Sequence, residues 1–273
     1  MIMRDSDMNA VARRLATIAI EAGHVLRRME RVQKDATLKK DGTPTTLADL
    51  AAEELIIAHL NEAWPGIPVV AEETASQVSP DSFFFLVDPL DGTGDFIHGT
   101  GEYSVNIALV QGNRPVAAVV AAPAMRNIWI AGTRAETGAM PGKPDDEIIW
   151  HPIATRAAPE QGLIALVSRR HGDNATEKCL STLSIGTRRT ASSALKFCLI
   201  ASGEADVYVR CGPTMEWDTA AGDHILSCAG GKVIGAGGTH LTYGHRDRDY
   251  RNGPFAALGD PALAPRLALP VTC

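Results

Sequence analysis

A chain of 273 residues with 45% hydrophobic content has the material for one large or two ordinary packed domains. Its formal charge of -6 is spread along the chain, so no basic stripe speaks for nucleic-acid wrapping and no acidic tail for disorder, and small-molecule partners are favoured. Five cysteines, an odd number without C-x-x-C spacing, argue against a disulfide framework and a zinc knuckle. The first residues lack the basic-then-apolar order of a signal peptide, and no apolar run approaches the roughly 18 residues of a membrane span.

Met8, Val11, Leu15, Ile18, Ala22 and Val25 recur at helical spacing and predict an amphipathic helix over 8–31. Loop residues 39–44 precede a second helical pattern from Leu47 to Trp64, closed by Pro65, and Thr46 with Asp49 fits a capping box at its start. A short strand over 67–70 runs into Glu72 and Glu73. Phe83 to Val87 reads as a strand buried on both faces, with Asp88, Pro89 and Gly92 expected to end it. If these two strands are parallel neighbours, the four carboxylates of Glu72, Glu73, Asp88 and Asp91 meet at one end. Strand-like runs at 103–110, 115–121 and 128–131 complete a first half of helices followed by a mostly antiparallel sheet.

Residues 132–161 are rich in Gly, Pro and charge, and a soft boundary is placed there, giving an N-terminal α+β domain over 1–145 and a C-terminal α/β domain over 146–273. The second half alternates: strand 163–167, helix 173–184, extended 186–190, helix 192–202, strand 205–209, helix 218–229, and strands near 232–234 and 254–258. The Gly-rich run 235–238 lacks both dinucleotide and Walker spacing and reads as a turn.

The strongest chemical constellation is an oxygen-only metal site of Glu72, Asp88 and Asp91, joined from the second half by Asp218. Hard divalent cations choose such ligands, and magnesium suits a few carboxylates completed by water and phosphate oxygens. Asp88 and Asp91 lie three apart around a proline, a spacing that lets a turn aim both at one point. Gly92 permits backbone N–H groups to approach an anion, and the Thr93 hydroxyl can orient a water. Asp218 also fits a helix cap beside a core tryptophan. No EF-hand loop and no G-x-S-x-G elbow is present, and the cysteines read as small core residues.

Glu72-Glu73, D-P-L-D-G-T at 88–93 and W-D-T-A-A-G at 217–222 together resemble the lithium-sensitive, magnesium-dependent inositol monophosphatase superfamily over roughly residues 10–260. Within it, S-R-R-H at 168–171, S-A-L-K-F-C at 193–198 and R-C-G-P-T at 210–214 resemble the CysQ-type 3′(2′),5′-bisphosphate nucleotidases. The chain departs from that type in carrying Gly94-Asp95 where Lys-Glu commonly follows D-G-T. It also has Arg210 where inositol monophosphatases place an acidic residue for sugar hydroxyls, which favours an anionic substrate group.

The resemblance implies a layered αβαβα sandwich of mixed α+β and α/β character. It implies two or three Mg²⁺ ions held by Glu72, Asp88, Asp91, Asp218 and the Leu90 carbonyl. Thr93 and Asp49 would hold the attacking water, with Glu73 as a secondary candidate. Lys39 would close over the phosphate, and Gly92, Thr93, Ser168, His171, Ser193, Lys196 and Arg210 would bind substrate, Ser193 and Lys196 sharing one phosphate from a helical turn. The expected reaction converts 3′-phosphoadenosine 5′-phosphate to AMP, with the sulfated nucleotide as a further substrate. Alternatives are an inositol monophosphatase or broad sugar phosphatase, and a non-catalytic metal or nucleotide sensor. The expected location is cytoplasmic, with peripheral contact at the inner membrane face; oligomeric state stays open.

Overall fold

The computed structural model describes residues 7–32, 36–38, 44–75, 80–143, 146–169, 172–192 and 194–270. In chain order the first part contains α1 (Met8–Val32), β1 (Ala36–Leu38), β2 (Pro44–Thr46), α2 (Leu47–Ala63), β3 (Val69–Ala71), β4 (Phe83–Asp91) and α3 (Thr93–His98). Next come β5 (Ser104–Gln111), β6 (Arg114–Ala122), β7 (Asn127–Ala131), β8 (Ala135–Ala139) and β9 (His151–Pro152). The remainder is β10 (Leu163–Val167), α4 (Asn174–Leu180), β11 (Ile185–Thr190), α5 (Leu195–Ala201), β12 (Val207–Arg210), β13 (Thr214–Met215), α6 (Glu216–Cys228), β14 (Lys232–Gly235), β15 (Arg251–Asn252) and β16 (Phe255–Leu258).

Two sheets organise the chain. The larger has the order β3-β4-β5-β6-β7-β8-β9, the smaller β11-β10-β12-β16-β14. In the larger, β3 is parallel to β4 and the other pairs are antiparallel. Side chains alternate across a pleated strand. Phe85, Val87, Ile107 and Leu109 therefore pack with α1 and α2, while Phe84, Leu86, Ala108 and Val110 face α5 and α6. The other side of α5 and α6 meets Tyr208, Val233, Phe255 and Ala257 of the smaller sheet. That sheet's outer face, with Val207, Val209, Ala256 and Leu258, is covered by Cys179 and Leu180 of α4 and Leu263 of the 3₁₀ turn Pro261–Arg266. The result is five layers, αβαβα, as expected. Among the described residues no helix is long and apolar enough to cross a membrane.

Some details that bear on the site and its sheet differ from expectation. β8 lies inside the stretch where the boundary was placed and continues the larger sheet, pairing with β7 on one side and β9 on the other. α5 begins at Leu195 rather than at 192, so Lys196 sits in its first turn. β4 does not stop at Asp88 and Pro89 but runs to Asp91 across a register shift, with Asp88 opposite Asn106 and Asp91 opposite Ser104. Three steps on β4 thus match two on β5, the signature of a bulge, which also accommodates a proline that cannot donate to the ladder.

Candidate active site

The bulge decides where the carboxylates point. In a regular strand residues three apart lie on opposite faces. One inserted residue reverses the parity, so Asp88 and Asp91 share the face turned toward α5 and α6. Their fixing bonds are local: Leu90 N donates to Asp88 Oδ1 at 3.0 Å, and Asp91 Oδ2 accepts from Asn106 Nδ2 at 3.2 Å and Ala194 N at 2.8 Å. After the strand, Gly92 takes φ 92°, a left-handed conformation open to glycine, and turns the chain into α3 with Thr93 at its start.

Parallel pairing of β3 with β4 brings Glu72 to the same end, its N–H donating to Val87 O at 3.1 Å. Asp218 arrives from the first turn of α6, where its Oδ2 accepts from Met215 N at 2.9 Å. It caps from the third helical position, not from the N-cap. Glu72, Leu90, Asp91, Asp218 and the almost fully buried Asp88 all line one cleft of about 360 Å³. Burial, followed by the charges of Glu72, Asp91 and Asp218, holds the Asp88 carboxyl well above the usual range. Asp218 is raised for the same reasons, burial first and then Asp91.

Among the described residues no three His, Cys, Asp or Glu side chains are drawn together closely enough to hold a metal ion as they stand. The donor set nevertheless fits a hard divalent cation. It is all oxygen, it is electrostatically coupled, and its mutual repulsion is of the kind a cation relieves. Asp88, Asp91 and Asp218 accept from backbone N–H groups, and Asp91 also from Asn106.

Asp49 does two things at once. Its Oδ2 accepts from Thr46 N at 2.7 Å and Thr46 Oγ1 at 2.6 Å, completing the capping box of α2, while Oδ1 accepts from Thr93 Oγ1 at 3.1 Å. Thr93 Oγ1 also lies 3.2 Å from Leu90 O. Burial raises the Asp49 carboxyl despite these donors. One turn along α2, buried Glu53 accepts from Glu73 N at 2.9 Å and Thr74 Oγ1 at 3.0 Å, and Thr45 Oγ1 donates to Glu73 at 3.2 Å. α2 and β2 thereby hold the Glu72-Glu73 turn.

The opposite wall comes from the second half. Ser168 follows β10, Lys196 lies in α5, and Arg210 ends β12; all three line the cleft. Arg210 Nη2 donates to Pro213 O at 3.0 Å and Nη1 lies 3.5 Å from Ser168 Oγ. Lys39, His171 and Ser193 lie outside the described residues. Residues to which sequence reasoning gave no role complete the site: Asn106 behind Asp91, Glu53 under Glu73, and Asp95, Glu102, Arg169 and Ser192 along the rim. A signal existed for two of them. Asn106 interrupts an apolar strand and Glu53 an apolar helix face, and a polar residue in such a place needs a partner.

Similarity to known proteins bears on this geometry. The model of the inositol monophosphatase family matches residues 6–268. The 3′(2′),5′-bisphosphate nucleotidase CysQ of Salmonella typhimurium is 37% identical over 212 residues, 77% of this chain and 83% of that protein. CysQ of Haemophilus influenzae is 31% identical over 250 residues, 90% and 91% of the two chains. The crystal structure of CysQ from Bacteroides thetaiotaomicron superposes with a TM-score of 0.76 at 33% identity, covering 91% of this chain and 97% of that one.

Proposed function

Since the chain belongs to the inositol monophosphatase family, we propose that it is a Mg²⁺-dependent 3′(2′),5′-bisphosphate nucleotidase that releases the 3′-phosphate of 3′-phosphoadenosine 5′-phosphate and leaves AMP. The observation that carries the chemistry is the meeting of Glu72, Asp88, Asp91 and Asp218 in one cleft with the cationic Lys196 and Arg210 opposite. The substrate is taken from the CysQ relatives, and Arg210 suits it better than a polyol because a guanidinium presents a planar fork to an anionic group.

Glu72, Asp88, Asp91, Asp218 and the Leu90 carbonyl would hold the magnesium. When bound, it lowers the pKa of the attacking water and offsets charge on the phosphate and the leaving oxygen. The chain's own residues supply proton handling and orientation. A water at Thr93 gives its proton to the hydroxyl oxygen as Thr93 passes its own to Asp49, whose raised pKa makes it a better acceptor at neutral pH. Glu73, held by Thr45, is the secondary acceptor. Water attacks phosphorus, the bond to the 3′-oxygen breaks, and that oxygen takes a proton from solvent to become the ribose hydroxyl, while Asp49 returns to solvent the proton it received. Lys196 and Arg210, with Ser168, Gly92, His171, Ser193 and Lys39, orient the two phosphates. The sulfated nucleotide offers the same 3′-phosphate to the same groups.

Replacement of Asp91 by Asn tests this reading. Asn keeps an acceptor for Ala194 N but lowers the negative charge at the centre of the cleft. Phosphate release with Mg²⁺ should fall to background, while the melting temperature in EDTA stays the same or rises, because one member of a repelling cluster is neutralised. Retained turnover would overturn the site assignment.

A further inference from the structure

The rim of the cleft holds a polar network that none of the assigned roles uses. Asp95, two residues past Thr93 and 7% exposed, accepts from Ser192 Oγ at 2.6 Å, from Thr100 Oγ1 at 2.9 Å and from Arg169 Nη1 at 3.3 Å. Glu102 accepts from Arg169 Nη2 at 2.8 Å and from Ser192 N at 3.0 Å. One guanidinium therefore forks between two carboxylates, and one serine is held at both its hydroxyl and its backbone. Two residues on, Ala194 N donates to Asp91.

Every partner on the carboxylate side comes from the first half of the chain and every cleft-facing partner on the other side from the second. Arg169 adjoins Ser168, and Ser192 and Ala194, each tethered, stand just before Lys196 in the chain. We propose that Asp95 and Glu102 are positioning residues for substrate: through Arg169 and Ser192 they hold both phosphate-facing segments of the second half against the D-G-T turn, and so set the width of the cleft. The proposal rests on the nucleotidase reading for the substrate's identity alone. It also gives the Gly94-Asp95 dipeptide a role, since the carboxylate at 95 grips the opposite wall while Gly94 leaves the lining without a side chain.

A charge-assisted hydrogen bond carries this clamp, and its loss should loosen both walls without touching the residues that handle the water. In Asp95→Asn, KM for 3′-phosphoadenosine 5′-phosphate should rise about tenfold, the equivalent of one such bond, with kcat changed far less. Asp95→Glu, which keeps the charge, should recover most of the affinity, and Glu102→Gln should move KM in the same direction as Asp95→Asn. An unchanged KM beside a lowered melting temperature would mark the network as merely structural and overturn the proposal, as would equal impairment of the Asn and Glu variants. If Asp95→Asn fails to fold, Ser192→Ala removes a single hydroxyl and carries the same test: a KM rise supports the clamp and its absence overturns it. Should the wild-type protein prefer another phosphate ester, the nucleotidase reading fails separately, and the same KM comparison on that ester still decides the clamp.

Discussion

At the scale of single residues, Lys196 carries a burial cost that its proposed role in binding phosphate would offset. It is 2% exposed, its Nζ donates to Ala191 O at 3.2 Å, and it lies 4.6 Å from the centre of the Tyr208 ring. Among the described residues that is one hydrogen bond for an ammonium with three donors. Burial lowers its pKa to about 8, against the pull of Asp91. A phosphate would restore what burial removes. Lys196→Met should therefore raise KM by about tenfold to a hundredfold, as loss of a charge-assisted bond implies, with no loss of melting temperature. The charged form is the binding form, so wild-type kcat/KM should decline as pH rises through about 8, and the Met variant should lack that limb. Equal KM in the two proteins would remove Lys196 from the binding wall.

At the scale of elements, the contact between α5 and α6 keeps Lys196 and Asp218 in one frame. A Cβ on Gly222 would stand 2.5 Å from Phe197 Cγ, and Phe197 is itself held by Tyr208 and Phe255, each with ring centres 5.6 Å away. The glycine of W-D-T-A-A-G is thus a close-approach residue, which lets α6 lie against the ring that follows Lys196. Gly222→Ala should cost about 1–3 kcal/mol by overpacking, read as a lowered melting temperature with weaker nucleotide binding. An unaltered melting curve would contradict that packing account.

Legibility in the sequence follows the same division. Phe83 to Val87 announced a strand because a five-residue apolar run rich in aromatics and closed by Asp88, Pro89 and Gly92 is too short for a buried helix, and Met8 to Val25 announced a helix through its period. The continuation of β4 past Pro89 was hidden, since a bulge is a property of two paired strands and no local signal names the partner register. For the same reason the parity that turns Asp88 and Asp91 to one face could be expected as a turn but not as a bulge. The rim network was invisible for a different cause. Asp95, Glu102, Arg169 and Ser192 are each ordinary surface residues by type, and their meeting spans up to 97 positions of chain. β8 was lost because a short strand of Ala, Glu, Thr and Gly lacks the β-branched and aromatic residues that mark a strand until its neighbours are known.

At the scale of the whole molecule, the five layers explain why the cleft exists where it does. The larger sheet ends in Glu72, Asp88 and Asp91; the smaller sheet ends in Ser168 and Arg210; α6, packed between them, brings Asp218. Acidic groups come mainly from the first half and cationic groups from the second, so a magnesium ion and a phosphate would be gripped from opposite sides. The most direct test of this account is phosphate release measured side by side from 3′-phosphoadenosine 5′-phosphate, inositol 1-phosphate and fructose 1,6-bisphosphate, with Mg²⁺ and with EDTA. The account predicts the highest kcat/KM for the bisphosphate nucleotide, with AMP as product and activity lost in EDTA. A preference for inositol 1-phosphate, or turnover indifferent to EDTA, would contradict it.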